Sequence, residues 1–563
     1  MKKSKSLTAL LLAFVLLLGL LAGCGSSSDS TTDSADEAEE AEETEEVETE
    51  TADDGATYSL PIVDEPITYT MWITYAPFSA DLIDVETMSG ILVLDELQEV
   101  TNIYFDFTPV NGAADEDNFN LMIASGDYCD ILSCMEYYNT GLEGAVEEGI
   151  IMDLADILPE YCPTYWDYLT SDTTSLMTAY TESGYMPAIL VLMPELGQEA
   201  IGPLLRADWL EEFGMDMPTT FDELFDYLEM AYNEKGAIFE MTATDGIYGD
   251  LAYGLNIDIG GYTVVDGEVI YGQATDEFKE YLIFMNELYE NGLISQDFFS
   301  TTNEDLSSQA RQDFGSGTNS LVSVSASNSS DIVMNVTEDS FEMAVLPYVS
   351  SDGTTEAHVG PESLVSLVKD TDPWCFNAEL SLEDIEPLLE MVEFLFSDEG
   401  YMLTNYGVEG ETYTIDEDGN PQYTDLVINN PDGLSYFFAS YVYATNSASG
   451  FFPYINDMSR TFYDFNDNQW EIYEDLKNLS DCAYNYPTYA DLTTDEAATY
   501  SSIESDLTTY SESMILAFIV GNTDIEAEYD TYVETLYSMG LQTMIDLKQD
   551  AYDRSQERLA EYQ

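Results

Sequence analysis

LLRADWLEEFGMDMPTTFDELFDYLEMAYNEKG, residues 204–236, runs from the end of an apolar stretch at Leu205 into helical sequence. Thr220 and Glu223 have the spacing of a capping box, in which each side chain satisfies a backbone N–H that a helix start leaves bare. Leu224, Tyr227, Leu228 and Ala231 then share one face, and Gly236 ends the run. Trp209, in the short R-x-D-W-L helix, is expected in the core.

The same alternation extends upstream. Residues 67–73 (ITYTMWI) and 103–110 (IYFDFTPV) are strand-like, and between them Met88, Ile91, Leu94 and Leu97 recur at helical spacing. DEDNFNLMIASG (115–126) reads as a helix and YCDILSC (128–134) as a buried strand, and a second series opens with PAILVLMPE at residue 187. Alternating units of this kind specify an α/β chain with mostly parallel, doubly wound sheets. Asp266-Gly267 and Asp418-Gly419 sit between strand-like residues as hairpin turns do. From Thr523, with Glu526 completing a second capping box, two amphipathic helices are expected, separated at Gly540. No internal repeat is evident.

The amino end has another character. Lys2, Lys3 and Lys5 precede an apolar run from Leu7 to Leu21, the length of a secretory h-region and short for a membrane span. Leu21, Ala22, Gly23 and Cys24 resemble the lipobox of bacterial lipoproteins, which implies cleavage before Cys24 and acylation of its thiol. The competing reading is a plain secreted protein in which Cys24 is incidental. Residues 25–58 contain fourteen Asp or Glu and no Lys or Arg. Such a stretch cannot bury enough surface to offset its ordering entropy, and its carboxylates repel one another. Residues 1–23 are therefore expected to be a signal peptide and 24–59 an acidic disordered tether.

The chain has 111 acidic against 13 basic residues, a formal charge of −98. Such a polyanion repels nucleic acid and gains nothing from anionic lipid heads. A neutral ligand is expected, with a cationic one in reserve, and most of the carboxylates are expected only to keep the protein soluble. Besides Cys24 there are five cysteines, without C-x-x-C or zinc-ligand spacing, so free thiols, no metal and no cofactor are expected.

Several stretches together resemble the extracellular solute-binding proteins of carbohydrate-type ABC importers, in their family 1-like lipoprotein branch. ELQEVTNIYFDFTPV followed by NFNLMIASGDYCDIL is similar to the first-lobe pattern of that family. LLRADWLEEFGMDMPTTFDEL is similar to its R-x-D-W-L and P-T-T-x-D-E-L segment. GGYTVVDGEVIYG, EFKEYLIFMNELYENGLI, FSDEGYMLTNYGVEGETY and FIVGNTDIEAEYDTYVETLYSMG extend the likeness over most of the body. Departures are Cys129 where the family has proline, Asn102 where it has glycine, and the absence after NEKGA of the calcium loop some members carry. Asp464, Asn466 and Asn468 imitate the first ligands of an EF-hand loop, but Gln469 replaces the required glycine, so a solvated loop is expected.

The resemblance implies a two-lobe periplasmic-binding-protein-like fold whose doubly wound sheets are joined by hinge strands. Lobe 1 would span residues 60–195 and return at about 355–410; lobe 2 would span 196–354 and be completed by about 411–563. It also implies a monomer, anchored to the membrane by lipid on its extracytoplasmic face, that delivers a sugar or oligosaccharide to ABC permease transmembrane subunits.

Sugars need flat rings to stack on and polar groups for their hydroxyls. Trp72 and Tyr75 end the first strand, although Trp72 could equally lie beneath the sheet. Glu136, Tyr137 and Tyr138 follow the third strand, in a region that contacts sugar in the resembled family. Glu199 precedes the strand leading to Arg206, and Tyr262 and Asn328 are candidates for the opposite wall. The competing ligands are a peptide or cationic solute, and a surface adhesin or sensor could use the same cleft. An enzyme would have a single histidine, His358, no G-x-S-x-G elbow and no Walker A or dinucleotide fingerprint. A glycoside hydrolase needs only two carboxylates, which 111 acids supply by chance.

Overall fold

Strand β1 (Ile67–Tyr75) runs parallel to β2 (Ile103–Asn111), Ile67 opposite Ile103 and Tyr75 opposite Asn111, and parallel on its other side to β3 (Ile131–Leu132). This is a computed structural model, and it describes residues 58–562 apart from 76–82, 86, 89, 112–114, 134, 194–199, 242–245, 300–302, 339, 362–367, 418, 432, 435, 446–451 and 464. Helix Leu92–Thr101 joins β1 to β2 and ends on Asn102, whose φ of 65° is left-handed. Asn102 donates its backbone N–H to Gln98 and its side-chain amide to the Val63 carbonyl at 3.0 Å. Asparagine tolerates this conformation better than other side-chain-bearing residues, so it can stand in the glycine position.

Two later strands complete this sheet in the order β2-β1-β3-β10-β4, with β10 (Val368–Phe376) antiparallel to both β3 and β4 (Ile189–Leu192). Its core gathers Trp72, Phe105, Phe119, Trp374, Leu388 and Phe396. The chain thus returns to the first sheet after residue 367.

A second sheet has the order β8-β5-β9, with β5 (Ile201–Arg206) between β8 (Leu321–Ser325) and β9 (Met343–Val345). Both pairings are antiparallel, so among the strands of the described residues the parallel pairing expected from alternating units joins β1 to β2 and to β3, with isolated parallel bridges elsewhere. Helices Phe221–Lys235 and Asp276–Glu290 pack into a second core that holds Trp209, Leu224, Tyr227, Leu228, Tyr281 and Phe518. The capping box at Thr220 and Glu223 is present and Gly236 caps the other end in the left-handed region.

Hairpin β6–β7 (Tyr262–Val265 and Glu268–Tyr271) turns on Asp266 and Gly267, both with positive φ, as a tight primed turn requires. The closing helices are Ile525–Met539 and Leu541–Tyr562, separated by Gly540. Their cap differs from the expectation: Asp524, not Thr523, accepts the Ala527 N–H, at 3.0 Å. A carboxylate is both a strong acceptor and a favourable charge at a helix N-terminus. The 26-residue helix Thr494–Ile519, with its own box at Thr493 and Glu496, was not anticipated.

Asn466 caps helix Asp467–Lys477 and Asn468 donates to the Met343 carbonyl at 3.0 Å, so these two EF-hand look-alikes serve the backbone. Cys129, Cys162, Cys375 and Cys482 are free thiols, the last three buried. Cys24, Cys134, Glu199, Asp418, Asp464, the proposed signal segment and the proposed tether up to residue 57 lie outside the described residues. Among the described residues no helix is long and apolar enough to cross a membrane.

Candidate ligand-binding cavity

Tyr262, at the start of β6, is held among Tyr271, Tyr486 and Tyr500, with ring centroids 5.5, 6.2 and 6.5 Å away. The Tyr500 hydroxyl donates to that of Tyr262 at 3.3 Å, and Tyr486 donates to the Lys548 carbonyl at 2.8 Å. These tyrosines come from the hairpin, the segment 482–491 and helix Thr494–Ile519, and helix Leu541–Tyr562 closes the group with Lys548. Tyr262, Tyr486 and Tyr500 form one wall of a cavity of about 800 Å³. Its other wall includes Thr174, on helix Thr173–Ala179, whose Ala179 belongs to the first core. Residues of both halves therefore line it.

A second cavity of about 950 Å³ shares Tyr253, Asp258 and Gly260 with the first and is walled by Tyr248, Phe298 and Ile515. Together they offer phenolic rings, hydroxyls and amides at a size suited to a small-molecule ligand.

The last helix also grips the first half. Arg554 donates to Glu182 at 2.9 Å and to both oxygens of Glu496 at 2.9 and 2.7 Å. Arg558 donates to the carbonyls of Thr181 and Tyr489 at 3.1 and 2.6 Å, and Thr178 meets Thr488 at 3.1 Å.

Charge in the first cavity is strongly modulated. Burial pushes Asp258 up to about 6. It does the same to Asp491, also to about 6, against the pull of Arg558 and Lys548. Burial pulls the Lys548 ammonium down, opposed by Asp491 and Glu504. A carboxyl whose folded pKa lies above its unfolded value binds protons more tightly when folded, so stability rises as pH falls from above 6 toward 4. Melting temperature should therefore increase from pH 7.5 to 5.5. Asp491→Asn should flatten part of that slope; an unchanged slope would show that Asp491 does not titrate in this range.

The sequence candidates are scattered. Tyr262 lines the first cavity. Trp72 is 2% exposed, inside the first core with its ring edge-on to Phe119 at 5.9 Å. Tyr75 and Tyr137 are half-buried against that core, and the Tyr138 hydroxyl donates to Glu148 at 2.9 Å. Glu136 shares the turn Met135–Tyr137, and Asn328 ends the turn Ala326–Asn328 with its Oδ1 buried. Trp72, Tyr75, Tyr137 and Asn328 line neither cavity. Asp258, Tyr486, Asp491, Tyr500 and Lys548 were missed. The signal for part of them is the tyrosine-dense stretch CAYNYPTYAD, residues 482–491.

Two α/β halves with separate cores, crossed by the chain more than once and sharing a polar aromatic cavity, define a two-lobe fold of the periplasmic-binding-protein type. The comparisons with known proteins agree. In structure the chain is similar to the ABC-transporter substrate-binding protein FusA of Streptococcus pneumoniae in complex with kestose, with a TM-score of 0.69, 17% identity, and 87% of this chain and 100% of that one covered. In sequence it is 24% identical over 343 residues to the polygalacturonan/rhamnogalacturonan-binding protein YtcQ of Bacillus subtilis, covering 58% of this chain and 64% of YtcQ. It is also 24% identical over 370 residues to lipoprotein LipO of the same organism, covering 62% of this chain and 69% of LipO. The match to YtcQ thus spans just under two thirds of that protein's length. No family model matches the chain.

Proposed function

We infer that the chain is an extracytoplasmic substrate-binding protein that captures an oligosaccharide and presents it to the transmembrane subunits of an ABC permease. The observation that carries this is the tyrosine-walled cavity of about 800 Å³, to which both halves contribute. Phenolic rings suit the C–H faces of a sugar, and Thr174, Asn485, Thr488 and Gln556 offer the donors and acceptors its hydroxyls need. Relative motion of the halves would open and shut that cavity and so mark loaded from empty protein. The acylated Cys24 would tie a monomer to the membrane. The ligand leaves chemically unchanged, and no cofactor takes part.

The test is a thermal-shift and calorimetric screen of purified protein against oligosaccharides and peptides. A ligand bound only by the folded state should stabilise it by about 2.7 kcal/mol at a hundredfold excess over Kd. Binding of peptides with no response to any glycan would overturn the ligand class. Glycan fragments accumulating beyond one equivalent would overturn the binding role.

A further inference from the structure

We propose that Lys548 selects the charge of the ligand, and that the glycan taken by this cavity carries a carboxylate, as an oligosaccharide containing uronic acid does. This rests on the carbohydrate reading above and narrows it.

The lysine is held by aromatic faces. Its ammonium lies 5.0 Å from the centroid of Tyr486, 5.4 Å from Tyr500 and 5.9 Å from Tyr262. Those rings are themselves fixed, Tyr486 by its bond to the Lys548 carbonyl and Tyr262 by Tyr500. Cation–π attraction of this kind stabilises an ammonium without using its three N–H donors. Among the described residues Lys548 forms no ion pair, although acids outnumber bases 111 to 13. By contrast Arg206, Lys235, Lys279, Arg554 and Arg558 are each paired to a carboxylate.

Lys548 is also the sole basic residue lining either cavity among the described residues. A preorganised ammonium with open donors inside a concave site is complementary to an anion, and an ammonium–carboxylate bond is among the stronger hydrogen bonds available. The overall negative charge does not forbid this. Asp491 and Glu504 act on the ammonium without forming an ion pair with it, and burial raises Asp258 and Asp491 to about 6, so both take up a proton more readily than an ordinary carboxyl.

The test titrates the full chain with trigalacturonate and with the same trisaccharide after reduction of its carboxyl groups. The acidic trisaccharide should bind at least about tenfold more tightly than the reduced one. Lys548→Met should abolish that preference and Lys548→Arg should largely retain it, with circular dichroism and melting curves confirming that each variant folds. Equal or tighter binding of the reduced trisaccharide, or a preference that survives in Lys548→Met, would overturn the proposal and leave the carbohydrate reading standing. Failure of both trisaccharides and of every neutral glycan in the screen would remove the carbohydrate reading itself.

Discussion

Arg206→Met is expected to destabilise the protein by about 3–5 kcal/mol, because it removes one partner of a buried ion pair and leaves the other uncompensated. Arg206 is fully buried at the end of β5. Its Nε and Nη2 donate to the two oxygens of Asp208 at 2.7 and 2.6 Å, Nη2 also reaches Glu338 at 3.0 Å, and Nη1 donates to the Phe314 carbonyl at 3.4 Å. The guanidinium is sandwiched between Trp209 and Phe341, 4.5 and 4.6 Å from their centroids. Only a planar fork meets all of these partners at once, so Arg206→Lys should also lose stability, by less than the methionine variant. Denaturant titration of the three proteins checks this. A methionine variant with an unchanged midpoint would mean that the cluster contributes nothing net to folding.

Trp72→Ala is the second large effect, a loss of about 3–5 kcal/mol from an unfilled cavity in the first core. The residue is 2% exposed, its ring meets Phe119 edge-on, and its carbonyl accepts the Ser133 hydroxyl at 2.9 Å. From sequence Trp72 could equally stack on a ligand. The two roles separate cleanly in a combined melting and binding experiment. The core position calls for a lowered melting temperature with glycan affinity kept at temperatures where the variant is folded. Weakened affinity with an unchanged melting temperature would return the ring to the cleft.

Much of the local structure is legible without coordinates. The capping box at Thr220 and Glu223, the glycine stop at Gly236 and the break at Gly540 all appear where the residue types place them. So does the hairpin at Asp266-Gly267. Each signal is complete within a few residues, because caps, turns and amphipathic faces satisfy backbone groups and bury apolar ones locally. The shift of one cap from Thr523 to Asp524 shows the limit of that reading: two neighbouring residues could both accept, and the carboxylate outcompetes the hydroxyl.

The sequence by itself determined the class of fold, an acidic two-lobe α/β chain with a candidate lipid anchor, along with the ends of its well-marked helices. Only the tertiary structure decided which aromatics meet around a cavity. Thr178 and Thr488, 310 residues apart, come into contact beside it, and Tyr262, Tyr486, Tyr500 and Lys548 converge from a hairpin, a loop and two helices. With 41 tyrosines in the chain, sequence offers Tyr262 and the tyrosine-dense stretch around Tyr486 but not their meeting with Tyr500, because long-range packing around the Lys548 ammonium brings the three together.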